Sequence, residues 1–356
     1  MPIVANSSLP SFSRFQNEGG EVLKSNDSGS KKTIRDLHIG LMNMMPDAAL
    51  EPTERQFLRL IGGCEENVRF FVYPFSPTEI PRGEWAQEHI QKYYFEFSAL
   101  RETGLDALIV SGANPVFAAL TEESFWSPLC GVLDWASQNV ASTLCACLAT
   151  HAALLYFHDI ERKPLSAKRW GIFSHRVRQD HPLLKDVKSC FNVPHSRWNE
   201  IRSSQMESAG LYVLVESDDA GVHLATSQDG FRFIFFQGHP EYDNNSLLKE
   251  YKREVSLYAA READVYPPLP DNYFSGHDKK ILERYEAIVR ARRNREPLAL
   301  VTDFPEGDLS IENTWIDSGR FIFSRWLNGV AQIASLERKT ALKDGVNPNN
   351  PLGSIS

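Results

Sequence analysis

Ala141-Ser142-Thr143-Leu144-Cys145-Ala146-Cys147-Leu148-Ala149-Thr150-His151-Ala152-Ala153-Leu154-Leu155 changes from strand to helix with no loop between. Ala141 to Cys147 reads as a buried strand, and Leu148 to Leu155 as a helix that starts at once. Working outward from this junction, the same alternation recurs. Leu37 to Asn43, Val68 to Tyr73 and Asp106 to Gly112 read as strands. Pro52 to Leu60, part of Glu84 to Leu100, and Glu122 to Gln138 read as helices between them, the last with Phe125, Leu129, Val132 and Trp135 on one face. Strand and helix alternating at short spacing predicts an α/β fold with a mainly parallel sheet and helices on both faces. Such sheets place ligands at the carboxyl ends of their strands.

The second half reads differently. Lys163 to Glu200 is rich in turns and isolated polar residues. Leu211–Glu216 and Val222–Ser227 suggest a hairpin, and Phe231–Gln237 is an apolar strand that stops at Gly238. Ser246–Ala260, Lys279–Arg292 and Trp315–Ile333 read as helices. The last carries an apolar stripe of Phe321, Phe323, Trp326 and Val330, suited to core packing or to a homodimer contact. Residues 1–33 lack apolar periodicity and read as a disordered N-terminal segment, 34–335 as a single domain, and 336–356 as a flexible tail.

Composition narrows the function classes. The 356 residues are 42% hydrophobic and 24% charged, with a formal net charge of −8, which gives no basic footprint for nucleic acid. No apolar run approaches the roughly 20 residues that span a bilayer, and the first 32 residues lack a secretory h-region. The five cysteines form no regular disulfide framework, which points to reduced thiols and a cytoplasmic protein. His151, His175, His181 and His195 show no compact ligand spacing, so no metal is expected.

Two segments put reactive groups at strand ends. Cys147 lies on the strand-to-helix junction, where free backbone N–H groups and the helix dipole favour a thiolate and can hold an oxyanion. Free cysteines are more often packing residues, and Cys145, inside the strand, suits that role. Gly238-His239-Pro240-Glu241-Tyr242-Asp243 ends the later strand in a proline-fixed turn. His239 and Glu241, two residues apart, can face one side, so that the carboxylate orients the imidazole. Taken alone, this pair is more readily a loop histidine and a surface glutamate. Together with Cys147 it meets the requirement of nucleophile, base and orienting acid.

These segments, in this order, resemble the class I glutamine amidotransferase fold, which is flavodoxin-like, here with extra C-terminal helices. More closely, the chain resembles the homoserine O-succinyltransferase (homoserine O-acyltransferase) family across about Ile34 to Ile333. The likeness is carried by Asn43-Met44-Met45-Pro46, Glu54-Arg55-Gln56-Phe57-Leu58-Arg59-Leu60, Ser111-Gly112-Ala113, Ser142-Thr143-Leu144, Pro194-His195-Ser196-Arg197 and the turn from Gly238 to Asp243. It implies an acyl-thioester nucleophile at Cys147, a general base at His239 and its partner at Glu241. It also implies substrate-binding roles for Lys168, Ser196 and Arg253, the arginine holding an amino-acid carboxylate. The oxyanion donors expected are Leu148 and the Gly112-Ala113 turn, with Val116 at the acyl-specificity position. The substrates implied are succinyl-CoA or acetyl-CoA and L-homoserine. Acyl-CoA is a co-substrate, and no cofactor, nucleic acid or membrane is implied.

The sequence departs from that pattern in two places. Asp47 follows Met45-Pro46 where many members carry lysine, and the stretch to Glu54 is longer. Val116 is neither small nor acidic; lacking a carboxylate that would repel succinyl, it favours succinyl-CoA. The alternatives are an acetyl donor, a serine acceptor, a glutamine amidotransferase or a non-catalytic regulator. Ala146 and Leu148 flank Cys147 where amidotransferases usually place glycines, and a binding module has no need of all three triad groups.

Overall fold

A computed structural model describes residues 3–24, 35–63, 68–293, 303–338 and 340–353. In chain order its strands are β1 (Ile3–Ala5), β2 (Val22–Lys24), β3 (Arg35–Met42), β4 (Val68–Phe75), β5 (Ala107–Val110), β6 (Ser142–Ala146), β7 (Lys163–Val177), β8 (Cys190–Glu200), β9 (Tyr212–Ser217), β10 (Gly221–Thr226) and β11 (Phe233–Phe236). The helices are α1 (Pro10–Asn17), α2 (Leu50–Gly62), α3 (Glu84–Tyr93), α4 (Phe97–Thr103), α5 (Trp126–Asn139), α6 (Leu148–His158), α7 (Ser203–Ser208), α8 (Ser246–Ala259), α9 (Gly276–Arg293) and α10 (Ile316–Ile333).

The strands form one sheet in the order β2-β1-β4-β3-β5-β6-β11-β10-β9-β7-β8. Every pairing from β2 through β11 is parallel, and every pairing from β11 to β8 is antiparallel. The parallel strands bury both faces by alternation. Ile109, Leu144, Ala146, Ile234 and Phe236 join one core with α1, α2 and α10. Leu108, Val110, Cys145, Phe233 and Phe235 join a second core with α5, α6 and α7 on the other face. The mainly parallel α/β sheet with helices on both faces is therefore present.

Three expectations are corrected. Residues 3–24 are not a disordered leader: β1 pairs in parallel with both β2 and β4, and Phe12 and Phe15 enter the first core. The three-residue strands are too short for an alternation signal, and α1 begins at a proline that reads as a breaker. Residues 25–33 of that expectation lie outside the described residues. Lys163 to Glu200 is not mainly turns; it holds the long antiparallel pair β7 and β8, in register from Arg169↔Arg197 to Arg176↔Cys190. Its polar and basic residues disguise strands whose exposed face is solvated. The C-terminal stretch is anchored where it is described, by an Ala334↔Leu342 bridge and by Leu352 packed against the first core.

The α10 stripe is spent inside the molecule. Phe323, Trp326 and Val330 are fully buried, and Trp326 Nε1 donates to Ser142 Oγ at 2.8 Å. Of that stripe only Phe321 is exposed, so its packing lies mainly within this chain. Trp326→Ala is expected to cost about 3–5 kcal/mol through its cavity and the lost hydrogen bond to Ser142 Oγ. Urea unfolding at equilibrium measures this; a loss below about 1 kcal/mol would mean that α10 is peripheral.

Candidate active site

Cys147 sits where three parallel strands end together. Ala146 is in register with Phe236 of β11, and Cys145 with Val110 of β5. The chain turns into α6 through Cys147 itself, at φ 51° and ψ −109°, a strained conformation for a residue with a Cβ. Three hydrogen bonds hold it there. Cys147 N–H donates to Phe236 O at 2.7 Å, and Thr150 Oγ1 donates to Cys145 O and Phe236 O at 2.8 and 2.9 Å. The side chain is thereby lifted above the sheet at the first turn of α6, with Leu148 N–H following it. On the β5 side, a Cβ added to Gly112 would lie 3.6 Å from Cys147 Cβ. The Gly112-Ala113 turn thus abuts the thiol. Cys145 is fully buried and its thiol is pushed upward by burial, which suits packing.

On the β11 side, His239 N–H donates to Pro194 O at 2.8 Å, tying the His-Pro-Glu turn to β8. The imidazole stacks on Tyr242 at 4.2 Å, and its Nδ1 meets Glu241 Oε1 at 2.7 Å. With Nδ1–H donating to the carboxylate, Nε2 is left free; it is buried and has no hydrogen-bond partner of ordinary geometry. Burial alone would hold the imidazole's pKa down. The charges of Cys147 and Glu241, with the hydrogen bond to Glu241, outweigh it and raise His239 well above its ordinary value. The three groups are brought together as expected.

Gly238 fixes the entry to this turn. A methyl there would meet Val193 Cγ1 at 2.6 Å and His195 Nε2 at 2.8 Å. Beneath it runs a chain of buried groups that sequence reasoning did not identify. Arg197 Nε–H donates to His195 Nδ1 at 3.3 Å, His195 Nε2 meets His175 Nε2 at 3.1 Å, and His175 Nδ1 meets Phe173 O at 2.9 Å. The fixed donor at one end and the fixed acceptor at the other assign every proton along it, and both histidines are neutral. Burial lowers His175 to about 4 and holds His195 well below its ordinary value. Arg197 is itself buried, so its guanidinium falls to about 10, opposed by the charges of Cys147 and Glu200.

A second polar cluster lies beside the triad. Glu250 of α8 accepts from Ser196 Oγ at 2.6 Å, from Tyr242 O–H at 2.9 Å and from Lys168 Nζ at 3.2 Å. Burial would raise this carboxyl, but Lys168 and the two hydroxyls hold it below its usual value, so it stays ionised. Lys168 Nζ also lies 4.1 Å above the Trp170 ring. Lys168 comes from β7 and Ser196 from β8, so the misread strand pair supplies both. Glu250 was missed; its one signal is that it precedes Arg253 by one helical turn. Arg253 is exposed and pairs with Glu254 at 3.0 Å, one turn on from this cluster and not in contact with it. Val116 is 84% exposed in a loop whose Val116 and Phe117 N–H groups both donate to Glu123. Asp47 accepts from Arg82 at 3.2 Å and from Gly83 N–H at 2.8 Å, so it acts as a loop tie where a lysine would meet a buried guanidinium.

A half-buried thiol beside a buried imidazole and carboxylate, next to an ionised polar cluster, is an arrangement that can perform acyl transfer through a covalent intermediate. A family model described as homoserine O-succinyltransferase matches residues 2–336. The homoserine O-succinyltransferase of Methylobacter tundripaludum is 52% identical, covering 99% of this chain and 100% of that one. That of Allochromatium vinosum is 50% identical, with 99% of each chain covered. The solved structure of a glutamine amidotransferase from Methylobacillus flagellatus has a TM-score of 0.43 at 12% identity, covering 83% of this chain and 95% of that one.

Gly238→Ala is expected to destabilise the protein by about 1–3 kcal/mol, because the added methyl has no room against Val193 and His195. Thermal and urea unfolding check this. An unchanged midpoint would mean that the turn is not clamped by β8.

Proposed function

The chain belongs to the homoserine O-succinyltransferase family, and from that membership we propose that it moves the succinyl group of succinyl-CoA to the L-homoserine hydroxyl through an acyl-thioester on Cys147. The observation that carries this reading is the Cys147–His239–Glu241 arrangement, with Nδ1 committed to Glu241 and Nε2 free on the other side of the ring.

In the first half-reaction, the Cys147 thiolate attacks the thioester carbonyl. Leu148 N–H and the Gly112-Ala113 turn receive the oxyanion, the carbon–sulfur bond to coenzyme A breaks, and the leaving thiolate takes the proton from His239. In the second, the homoserine hydroxyl attacks the acyl-cysteine while giving its proton to His239 Nε2. Cys147 departs as thiolate, and O-succinylhomoserine, an activated precursor for methionine synthesis, is released. Acylation itself prepares the base. It removes the Cys147 charge, first among the influences that raise His239, so the imidazole's pKa falls when a neutral base is needed.

Lys168, Ser196 and Arg253 bind the acceptor, with the Arg253 fork on its carboxylate. Glu250 holds Lys168 and Ser196 in position and, through Tyr242, steadies the His239 ring. Val116 leaves the acyl loop without a carboxylate, which fits a donor that carries one. Among the described residues no helix is long and apolar enough to cross a membrane. The free thiols Cys130, Cys145, Cys147 and Cys190 suit a reducing compartment, and we place the reaction in the cytoplasm.

Intact-protein mass spectrometry after mixing with succinyl-CoA alone tests the proposal. The wild type gains the mass of one succinyl group, Cys147→Ala gains none, and homoserine discharges the adduct. Absence of both the adduct and homoserine-dependent release of coenzyme A would refute it.

A further inference from the structure

The His-Pro-Glu turn also borders a cavity of about 500 Å³ between α2, α8 and α10. Its wall includes Glu241 and Asp243 from the turn, and the cations Arg55, Arg59, Lys249 and Arg320. Arg59 is neutralised, since it pairs with both Glu18 and Asp243. Glu241 is committed to His239. Among the described residues, Arg55, Lys249 and Arg320 have no carboxylate within ion-pair distance, and Arg55 Nε is buried without any hydrogen-bond partner. Asn245, at the start of the fourteen-residue helix α8, also lines the cavity, and its side chain does not cap the helix.

Three uncompensated cations sharing one concave space repel one another. The strain is visible at Lys249, whose ammonium is lowered first by burial and then by Arg55, with Arg59 adding to it and Glu306 opposing. Folding tolerates such crowding when an anion completes the set. Two planar guanidinium groups, a lysine and the positive end of a helix match phosphate oxygens better than a single carboxylate.

We propose that this cavity is a binding site for a phosphate-bearing anion, held by Arg55, Lys249 and Arg320. The group comes either from the nucleotide portion of the coenzyme A co-substrate or from a separate phosphorylated effector. The cavity shares Glu241 with the triad, and Glu241 Oε2 is buried without a partner. An occupant therefore sits next to the carboxylate that orients His239.

Calorimetric titration of the full-length protein with pyrophosphate tests the site independently of turnover. The wild type binds pyrophosphate, and the Arg55→Gln/Arg320→Gln double variant binds it about tenfold more weakly or worse. The Arg55→Lys/Arg320→Lys variant retains binding, which separates lost charge from lost fold. Succinyl-CoA kinetics and competition by adenosine 3′,5′-bisphosphate distinguish the two sources. A raised KM for succinyl-CoA in the glutamine variant, at unchanged kcat and with lost competition, identifies the coenzyme A phosphates. An unchanged KM with lost pyrophosphate binding identifies an effector site. No pyrophosphate binding by the wild type, or equal binding by wild type and the glutamine variant, overturns the proposal and leaves the acyl-transfer reading untouched.

Discussion

The arrangement of the site depends on one backbone constraint, the turn of the chain through Cys147 with no loop between β6 and α6. A non-glycine residue at positive φ costs on the order of 1–3 kcal/mol, and here the surroundings impose it. Cys147 N–H is bonded to β11, Thr150 bridges the ends of β6 and β11, and Gly112, just after β5, lies beside Cys147 on the other side. Because β5, β6 and β11 are parallel and in register, their carboxyl ends form one rim. Cys147, the Leu148 N–H, the Gly112-Ala113 turn and His239 meet there without any long-range loop having to find its place.

Charge is arranged around that turn in layers. Closest to the thiol is His239, raised by Cys147 and Glu241 against its own burial. Behind it lies a hydrogen-bonded chain of neutral histidines that ends on the buried, charged Arg197, so the interior beneath the site gains rigidity. Beside it, Glu250 stays ionised because Lys168, Ser196 and Tyr242 satisfy it. Each buried ionised group is thus matched by a partner that favours its charge. A change at Cys147 is felt at His239, where its charge opposes burial.

Much of this was legible in the sequence because the parallel half of the sheet is written in alternation and abrupt strand–helix changes. Leu144, Cys145 and Ala146 distribute to opposite cores, as a doubly covered strand requires. Glycine and proline around His239 mark a turn that packing then enforces. What was not legible lacks a local signal. The long pair β7 and β8 carries polar residues on a solvated face, and β1 and β2 are three residues each, held by pairing with distant partners. Glu250 looks like any helix glutamate until β7 and β8 bring Lys168 and Ser196 to it. The α10 stripe could equally have faced a second subunit; only tertiary packing assigns Trp326 to Ser142.

The central claim is that Cys147 and Glu241 together hold His239 protonated in the resting protein, and that loss of the Cys147 charge releases it. An NMR pH titration of the His239 imidazole, in protein labelled at histidine and compared with Cys147→Ala, measures this directly. The account predicts that His239 in the wild type remains protonated well above the ordinary histidine range, and that removing the thiol moves its titration clearly downward. A wild-type His239 that titrates at or below the ordinary value, or one that is indifferent to the loss of Cys147, would contradict it.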